Sequence, residues 1–339
     1  ASSVLFNGVV SGAFGLAKSG SGELALGGAN TFSGSVSVLG GTLNLAGGAA
    51  IANAVLAEVA GGALLKLSSS EELAGVLGSG SIALQNNVLT LSGGTSTNFS
   101  GVISGAGGSL VKKGGAVLGL SGSNTFGGGI TMSAGTLEIG SNLALGTGTL
   151  TLNGGRVSSD SATARALANR LALSVGATLG SSAKSGTLSF GGGVALDANT
   201  NLTVDSSVTL GGSIAGTGNL VKLGLGELTL SGTNVSSGLF TVTGGTLNLS
   251  GGSAFANAST VSIGSGASLK LSSSEEIGMF AGEGVVNLQS NTLTVGGATA
   301  GIFSGVISGS GRMVKNGAAV LTLSGANTFS GGVTLNGGA

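Results

Sequence analysis

Cysteine, histidine, proline, tryptophan and tyrosine are absent from this chain of 339 residues. Without histidine or cysteine the usual acid–base and nucleophilic groups are missing, and zinc loses its preferred ligands. Without cysteine there is no disulfide framework, and an exported chain and a cytosolic one both fit. The lack of tyrosine and tryptophan removes the girdles of a transmembrane barrel and most stacking platforms for nucleic acid. Charge is scarce too, at 7% of residues with a net charge of zero, against about 25% in an ordinary soluble domain. The longest basic run is Lys112-Lys113, so the electrostatic footprint of a nucleic-acid binder is missing. The aspartates are Asp160, Asp197 and Asp205, too few for calcium-binding nonapeptide repeats; no metal and no cofactor is expected. No apolar stretch is long enough for a membrane-spanning helix. The opening "ASSVLFNGVVSG" lacks the basic and apolar regions of a signal peptide.

What is present is narrow and repetitive. Hydrophobic residues make up 41% of the chain and glycine supplies 71 residues, which is not the profile of a solvated disordered chain. Short runs such as "ELAL", "TLNL", "VLTL" and "TLEI" place Leu, Ile or Val at every second position, the period of a strand with one buried face. Gly, Asn and Ser clusters bound these runs and supply residues suited to tight corners. The segment "DSATARALANRLAL", Asp160 to Leu173, reads either as one or two helical turns or as irregular coil with an Arg-rich rim.

Self-similarity runs at two scales. "GTLNLAGGAAIANA" from Gly41 returns as "GTLNLSGGSAFANA" from Gly245, a shift of 204 residues. "LKLSSSEEL" from Leu65 and "FSGVISGAG" from Phe99 return with the same shift. Inside this long unit lies a shorter phrase, K-x5-[LV]-x-L-x3-N. Its copies run Lys18 to Asn30, Lys112 to Asn124, Lys222 to Asn234 and Lys315 to Asn327, with the asparagines 94, 110 and 93 residues apart.

Many short strands, glycine corners and a long echo favour an all-β solenoid. A sandwich rarely echoes over such a distance, a propeller would repeat every 40 to 50 residues or so, and a membrane barrel needs longer strands. In a solenoid, inward Leu, Val, Ile and Ala stack into an apolar column, and ladders on both sides of each strand disfavour proline. A coil of about 22 residues would give about 15 coils and a rod on the order of 70 Å at the inter-strand spacing. The whole of 1–339 reads as a single continuous solenoid with an internal repeat of about 204 residues, approximately 16–219 and 220–339, the second incomplete. Both ends break off within a phrase, so a segment of a longer polypeptide is expected.

"GNLVKLGLGELTLSGTNVSSGLFTVTGGTL", Gly218 to Leu247, resembles the passenger-associated β-strand repeat of bacterial autotransporters. The likeness recurs at Leu16 to Leu43, Leu110 to Leu137 and Met313 to Gly338, covering about a third of the chain. It implies a right-handed parallel β-helix, exported through the outer membrane of a Gram-negative bacterium and displayed extracellularly at the cell surface.

The candidate residues are those of the motif. Lys18, Lys112, Lys222 and Lys315 are expected to lay their stems on apolar edges and keep their ammonium groups in water. Asn30, Asn124, Asn234 and Asn327 are expected to satisfy corner backbone groups through side-chain hydrogen bonds. Lys66 with Glu71-Glu72 and its echo, Lys270 with Glu275-Glu276, are read as solvated corners or helix caps rather than paired catalytic carboxylates, since adjacent strand residues point opposite ways. The functional expectation is a non-enzymatic, adhesive or coat-forming surface protein that self-associates end to end or laterally. The alternative is an adhesin module that binds glycans or a receptor, although the aromatic residues are 3% and all Phe. A β-helix enzyme would need its active site elsewhere.

Overall fold

The computed structural model describes residues 2–52, 55–174, 176–255 and 260–339. Among them 42 short strands and no helix are found, and the parallel sheets stack as a β-solenoid of about 16 turns. The structure divides into two compact units, Ala1–Ser161 with Leu167–Asn169, and Ala162–Ala166 with Arg170–Ala339.

In the first unit a full coil lays down three strands in succession, each joining its own sheet. The first sheet begins Leu16–Lys18, Val36–Val38, Leu56–Val59, Gly75–Gly78 and continues to Arg156–Ser159. The second runs from Ser3–Phe6 through Glu23–Leu26 and Thr42–Leu45 to Val102–Ser104, and the third from Glu71–Leu73 to Leu150–Leu152. The second unit follows the same order. Its first sheet runs from Ala177–Leu179 to Leu321–Leu323, its second ends at Val306–Ser308, and its third-strand positions include Leu171–Leu173 and Arg312–Lys315.

Alternation explains why these segments are strands. In Val36–Val38 and Leu150–Leu152 the buried residues are the even-numbered Val or Leu, and in Thr292–Val295 they are the odd-numbered Leu293 and Val295, while the residues between them are only partly covered. Parallel register then stacks like on like, as when Leu110, Ile130 and Leu150 follow one another. The core is aliphatic with phenylalanine at intervals: Phe32, Phe99, Phe126 and Phe303 are fully buried, and Phe240 meets Phe255 edge to face at 4.7 Å.

Two expectations are corrected. The commonest step of the coil is 20 residues rather than 22, as where Leu16 pairs with Val36, Leu110 with Ile130 and Leu220 with Phe240. Corner loops absorb the variation, from 17 between Ser268 and Val285 to 25 between Ala177 and Leu202. The segment from Asp160 to Leu173 forms no helix; it contains the strands Arg165–Leu167 and Leu171–Leu173. Its leucines at 167, 171 and 173 are buried, and placing them in the apolar column outweighs the weak helical preference of Ala, Leu and Arg.

The short motif is seated in two ways. Lys18 and Lys222 end or enter first-sheet strands, Leu16–Lys18 and Leu220–Leu223, whereas Lys112 and Lys315 end third-sheet strands, Ser109–Lys112 and Arg312–Lys315. A spacing of 94 residues is about four and two-thirds turns of 20, so successive copies within a unit fall one strand out of phase around the coil.

Candidate functional site

The motif lysines are in phase with the inward apolar residue two places earlier: Leu16, Leu110, Leu220 and Met313. Their side chains therefore enter the interior, and Lys222 is only 2% exposed. The Lys18 ammonium donates to the carbonyl oxygens of Ser19, Gly20 and Gly40, each at 2.9 Å. Lys222 Nζ donates to Gly224 O at 3.2 Å and Gly244 O at 2.8 Å. Lys112 Nζ donates to Gly114 O, and Lys315 Nζ to Gly317 O and, at 3.5 Å, to Gly337 O. The expectation that these ammonium groups stay in water is thus corrected. Tight glycine corners turn carbonyl oxygens inward, away from the ladders, and a three-donor ammonium satisfies them. Lys18, Lys222 and Lys315 also join the corner of one coil to that of the next. Burial pushes the Lys112 amine below its usual range and Lys222 down to about 8, with Asp205 acting in the opposite direction.

The glycines after the lysine complete this clamp. Gly41 has φ +63° and Gly135 has φ +75°, a region open mainly to glycine. A Cβ there would lie 2.8 Å from Lys18 Nζ or Lys112 Nζ and closer still to a carbonyl oxygen.

Three of the motif asparagines, Asn30, Asn124 and Asn234, each link three coils. Asn30 Oδ1 accepts from Val10 N at 2.7 Å while its Nδ2 donates to Ala50 O at 2.7 Å. Asn124 links Ile103 N (2.8 Å) to Ala144 O (2.6 Å), and Asn234 links Ile214 N (2.7 Å) to Ala254 O. Asn327 Oδ1 accepts from Ile307 N at 2.9 Å.

Two buried carboxylates extend two of these columns, and sequence reasoning missed them. Ala50 N donates to both carboxylate oxygens of Glu71, at 3.1 and 3.2 Å. In the second unit Gly252 N and Ala254 N donate to Glu275 at 2.9 and 3.0 Å. Both glutamates are 3% exposed and sit in strands, Glu71–Leu73 and Glu275–Ile277, so the solvated-corner or helix-cap reading is corrected. Burial raises both carboxyls above their usual range, and the backbone N–H donors offset part of that rise. The signal was available in the spacing: Glu71 is two residues before inward Leu73, and Glu275 two before Ile277. Glu72 faces out, accepting from Ser92 Oγ at 2.7 Å with Lys113 Nζ at 3.7 Å.

A polar group on the second sheet, on the side away from the apolar column, also recurs with the long echo, with its asparagines, Asn44 and Asn248, buried at 7% exposure. Asn44 Nδ2 donates to Glu23 Oε1 at 3.0 Å, and Ser68 Oγ donates to Asn44 Oδ1 at 2.8 Å. Its counterpart has Asn248 Nδ2 at 3.4 Å from Glu227 Oε1, Ser272 Oγ at 2.8 Å from Asn248 Oδ1, and Lys270 Nζ 3.5 Å from Glu227 Oε2.

The family described as passenger-associated-transport-repeat matches residues 16–45, 110–139, 220–249 and 313–339, the four segments that carry the lysine and asparagine clamps. An adhesin of Brucella suis biovar 1 (strain 1330), named adhesin BmaC autotransporter, is 36% identical over 347 residues, covering 96% of this chain. The chain spans about a tenth of that relative's length. No solved structure matches the chain.

Proposed function

From the premise that the chain is an autotransporter passenger repeat protein, we propose that it is part of a non-enzymatic passenger at the surface of a Gram-negative bacterium. There it serves as a spacer with an adhesive surface. The observation that carries this reading is the use of the motif side chains: the lysines and asparagines are engaged in tying backbone to backbone, from coil to coil. Repeating such a motif lengthens a scaffold without adding a reactive site. The name of the Brucella suis relative, an adhesin, supports adhesion over catalysis. A surface of zero net charge lets like chains approach without repulsion, so self-association, end to end or lateral, belongs to the proposal.

A second reading, binding of a glycan or receptor, is favoured by the partly exposed glutamates of the second-sheet polar group, Glu23 and Glu227, because they recur with the long echo. Bacteria displaying the parent passenger with and without this segment separate these readings. Loss of adhesion to both host cells and bare surfaces fits the spacer. Loss confined to cells, reproduced by Glu23→Gln with Glu227→Gln, fits the binding module. Unchanged adhesion overturns both.

A further inference from the structure

Five Asn-x-Ser/Thr triplets occur in the chain, beginning at Asn98, Asn201, Asn234, Asn248 and Asn257; the last lies outside the described residues. The structure divides the other four. Asn234 and Asn248 are buried, at 3% and 7% exposure, and their amides are held by backbone and side-chain partners. Asn98, in the strand Thr97–Phe99, and Asn201, in Thr200–Val204, are exposed.

Neither exposed asparagine serves the fold. Asparagine is a poor strand former, and the residue 204 positions after Asn98 is Ile302, at the equivalent place in Gly301–Phe303. The residues on either side of each asparagine carry the packing instead: Phe99, Thr200 and Leu202 are buried. Each asparagine also has a glycine beside it on an adjoining coil. Asn98 pairs in register with Gly119, a glycine inside the strand Val117–Leu120, where a Cβ would approach Asn98 Oδ1 to 2.6 Å. Asn201 lies beside Gly176, where a Cβ would be 3.4 Å from the Asn201 backbone oxygen and 3.9 Å from its Cβ. Glycine within a strand weakens it and often marks a place where something approaches closely.

We propose that Asn98 and Asn201 are acceptors for N-linked sugar. An Asn-x-Ser/Thr triplet is the acceptor sequence for this modification, which places a bulky, solubilising group on a protein surface. The donor is a nucleoside-diphosphate-activated hexose and the catalyst a transferase of the producing cell. The asparagine amide nitrogen attacks the sugar C1, the N–C bond forms, the C1–O bond to the diphosphate breaks, and the amide proton passes to a base of the transferase. The sugar then covers the small residue beside it, adding hydrophilic bulk to a chain with few charges. This inference is independent of whether the passenger adheres.

The test is peptide mapping by mass spectrometry of the parent protein taken from the surface of its own bacterium. Hexose is expected on the peptides holding Asn98 and Asn201 and not on those holding Asn234 and Asn248. Asn98→Gln and Thr203→Val should each abolish sugar at their own site, with the β-sheet circular dichroism signal unchanged. Bare peptides at both sites, or sugar found on serine and threonine alone, would overturn the proposal. Equal occupancy at Asn234 and Asn248 would overturn the claim that exposure selects the site.

Discussion

The motif copies at 16–45 and 110–139 lie in the same unit yet occupy different strands of the coil. Their asparagines nevertheless do the same work, each joining an N–H of the preceding coil to a C=O of the following one. What differs lies beyond them. The column from Asn30 passes through Ala50 to a buried carboxylate, Glu71, whereas the column from Asn124 passes to Ala144. The clamp is therefore set by its own residues and glycine corners and is indifferent to the sheet that hosts it. The glutamate belongs to the longer unit and returns only where that unit returns, at Glu275.

The equivalence of the two clamps is most directly broken through their asparagines. Asn124→Ala leaves a buried donor and a buried acceptor without partners, at about 1–3 kcal/mol each, so a loss on the order of 4 kcal/mol is expected. Asn30→Ala should cost somewhat less, about 3 kcal/mol, because the Val10 N–H it orphans is only part-buried whereas that of Ile103 is buried. Native-state hydrogen exchange at Ile103 and Val10 reads both, and it suits a stacked array better than a single global midpoint does. A cost at Asn124 well below that at Asn30 would mean that the clamp depends on its sheet.

The carboxylate that distinguishes the columns gives a pH signature. Glu71 and Glu275 titrate above the ordinary 4.5 in the folded chain. The folded state then holds more protons between 4.5 and the raised value, so the associated stability is fully present below 4.5 and is lost as pH rises through that window. Glu71→Gln, which retains an acceptor for Ala50 N, should flatten this dependence in local exchange at Ala50 and leave exchange at Ile103 untouched. Glu71→Ala, which orphans that N–H, should cost about 2 kcal/mol.

Much of this architecture was open to reading from the chain. Strict alternation in "VLTL" and "TLEI", glycine at corners and the 204-residue echo lead to stacked parallel strands. The buried charges were harder, because lysine and glutamate are almost never fully buried without a partner, and here the partners are backbone groups of residues about 20 positions away. Phase was the overlooked clue, since Lys18 follows inward Leu16 by two and Glu71 precedes inward Leu73 by two. Coil length was unreadable for another reason: strand register settles at 20 while corner loops stretch or shrink. In Arg165–Leu167 and Leu171–Leu173 local composition favoured helix, and the apolar column decided otherwise.

Lysine sharpens the comparison between copies at alkaline pH. Lys222 titrates at about 8 rather than the ordinary 10.5, so between these values the unfolded chain binds more protons than the folded one. Stability from this group should therefore rise with pH across that interval. Lys222→Met keeps the stem but leaves Gly224 O and Gly244 O without the ammonium, costing about 1–2 kcal/mol at neutral pH. The variant should lack the alkaline rise, measured as the urea midpoint of the local transition at pH 8 and 10. A rise that persisted in the variant would assign it to another group.

The smallest expected effect on stability separates the two copies that share a strand position. Beside Lys18 the outward residues are Ser19 and Ser21; beside Lys222 they are Leu223 and Leu225, and Leu225 is 89% exposed. Neither leucine is needed for the clamp, because its contacts come from Lys222 Nζ and the glycine carbonyls. Leu225→Ser should thus change stability by less than about 0.5 kcal/mol. If like chains associate laterally, an exposed leucine on a weakly charged surface is where apolar contact is gained. Sedimentation velocity over a concentration series should then show weaker association for Leu225→Ser than for the parent chain. The reverse change, Ser21→Leu, should strengthen it. Identical sedimentation of all three would remove this ridge from the self-association surface while leaving the clamps, and the coils they join, as they are.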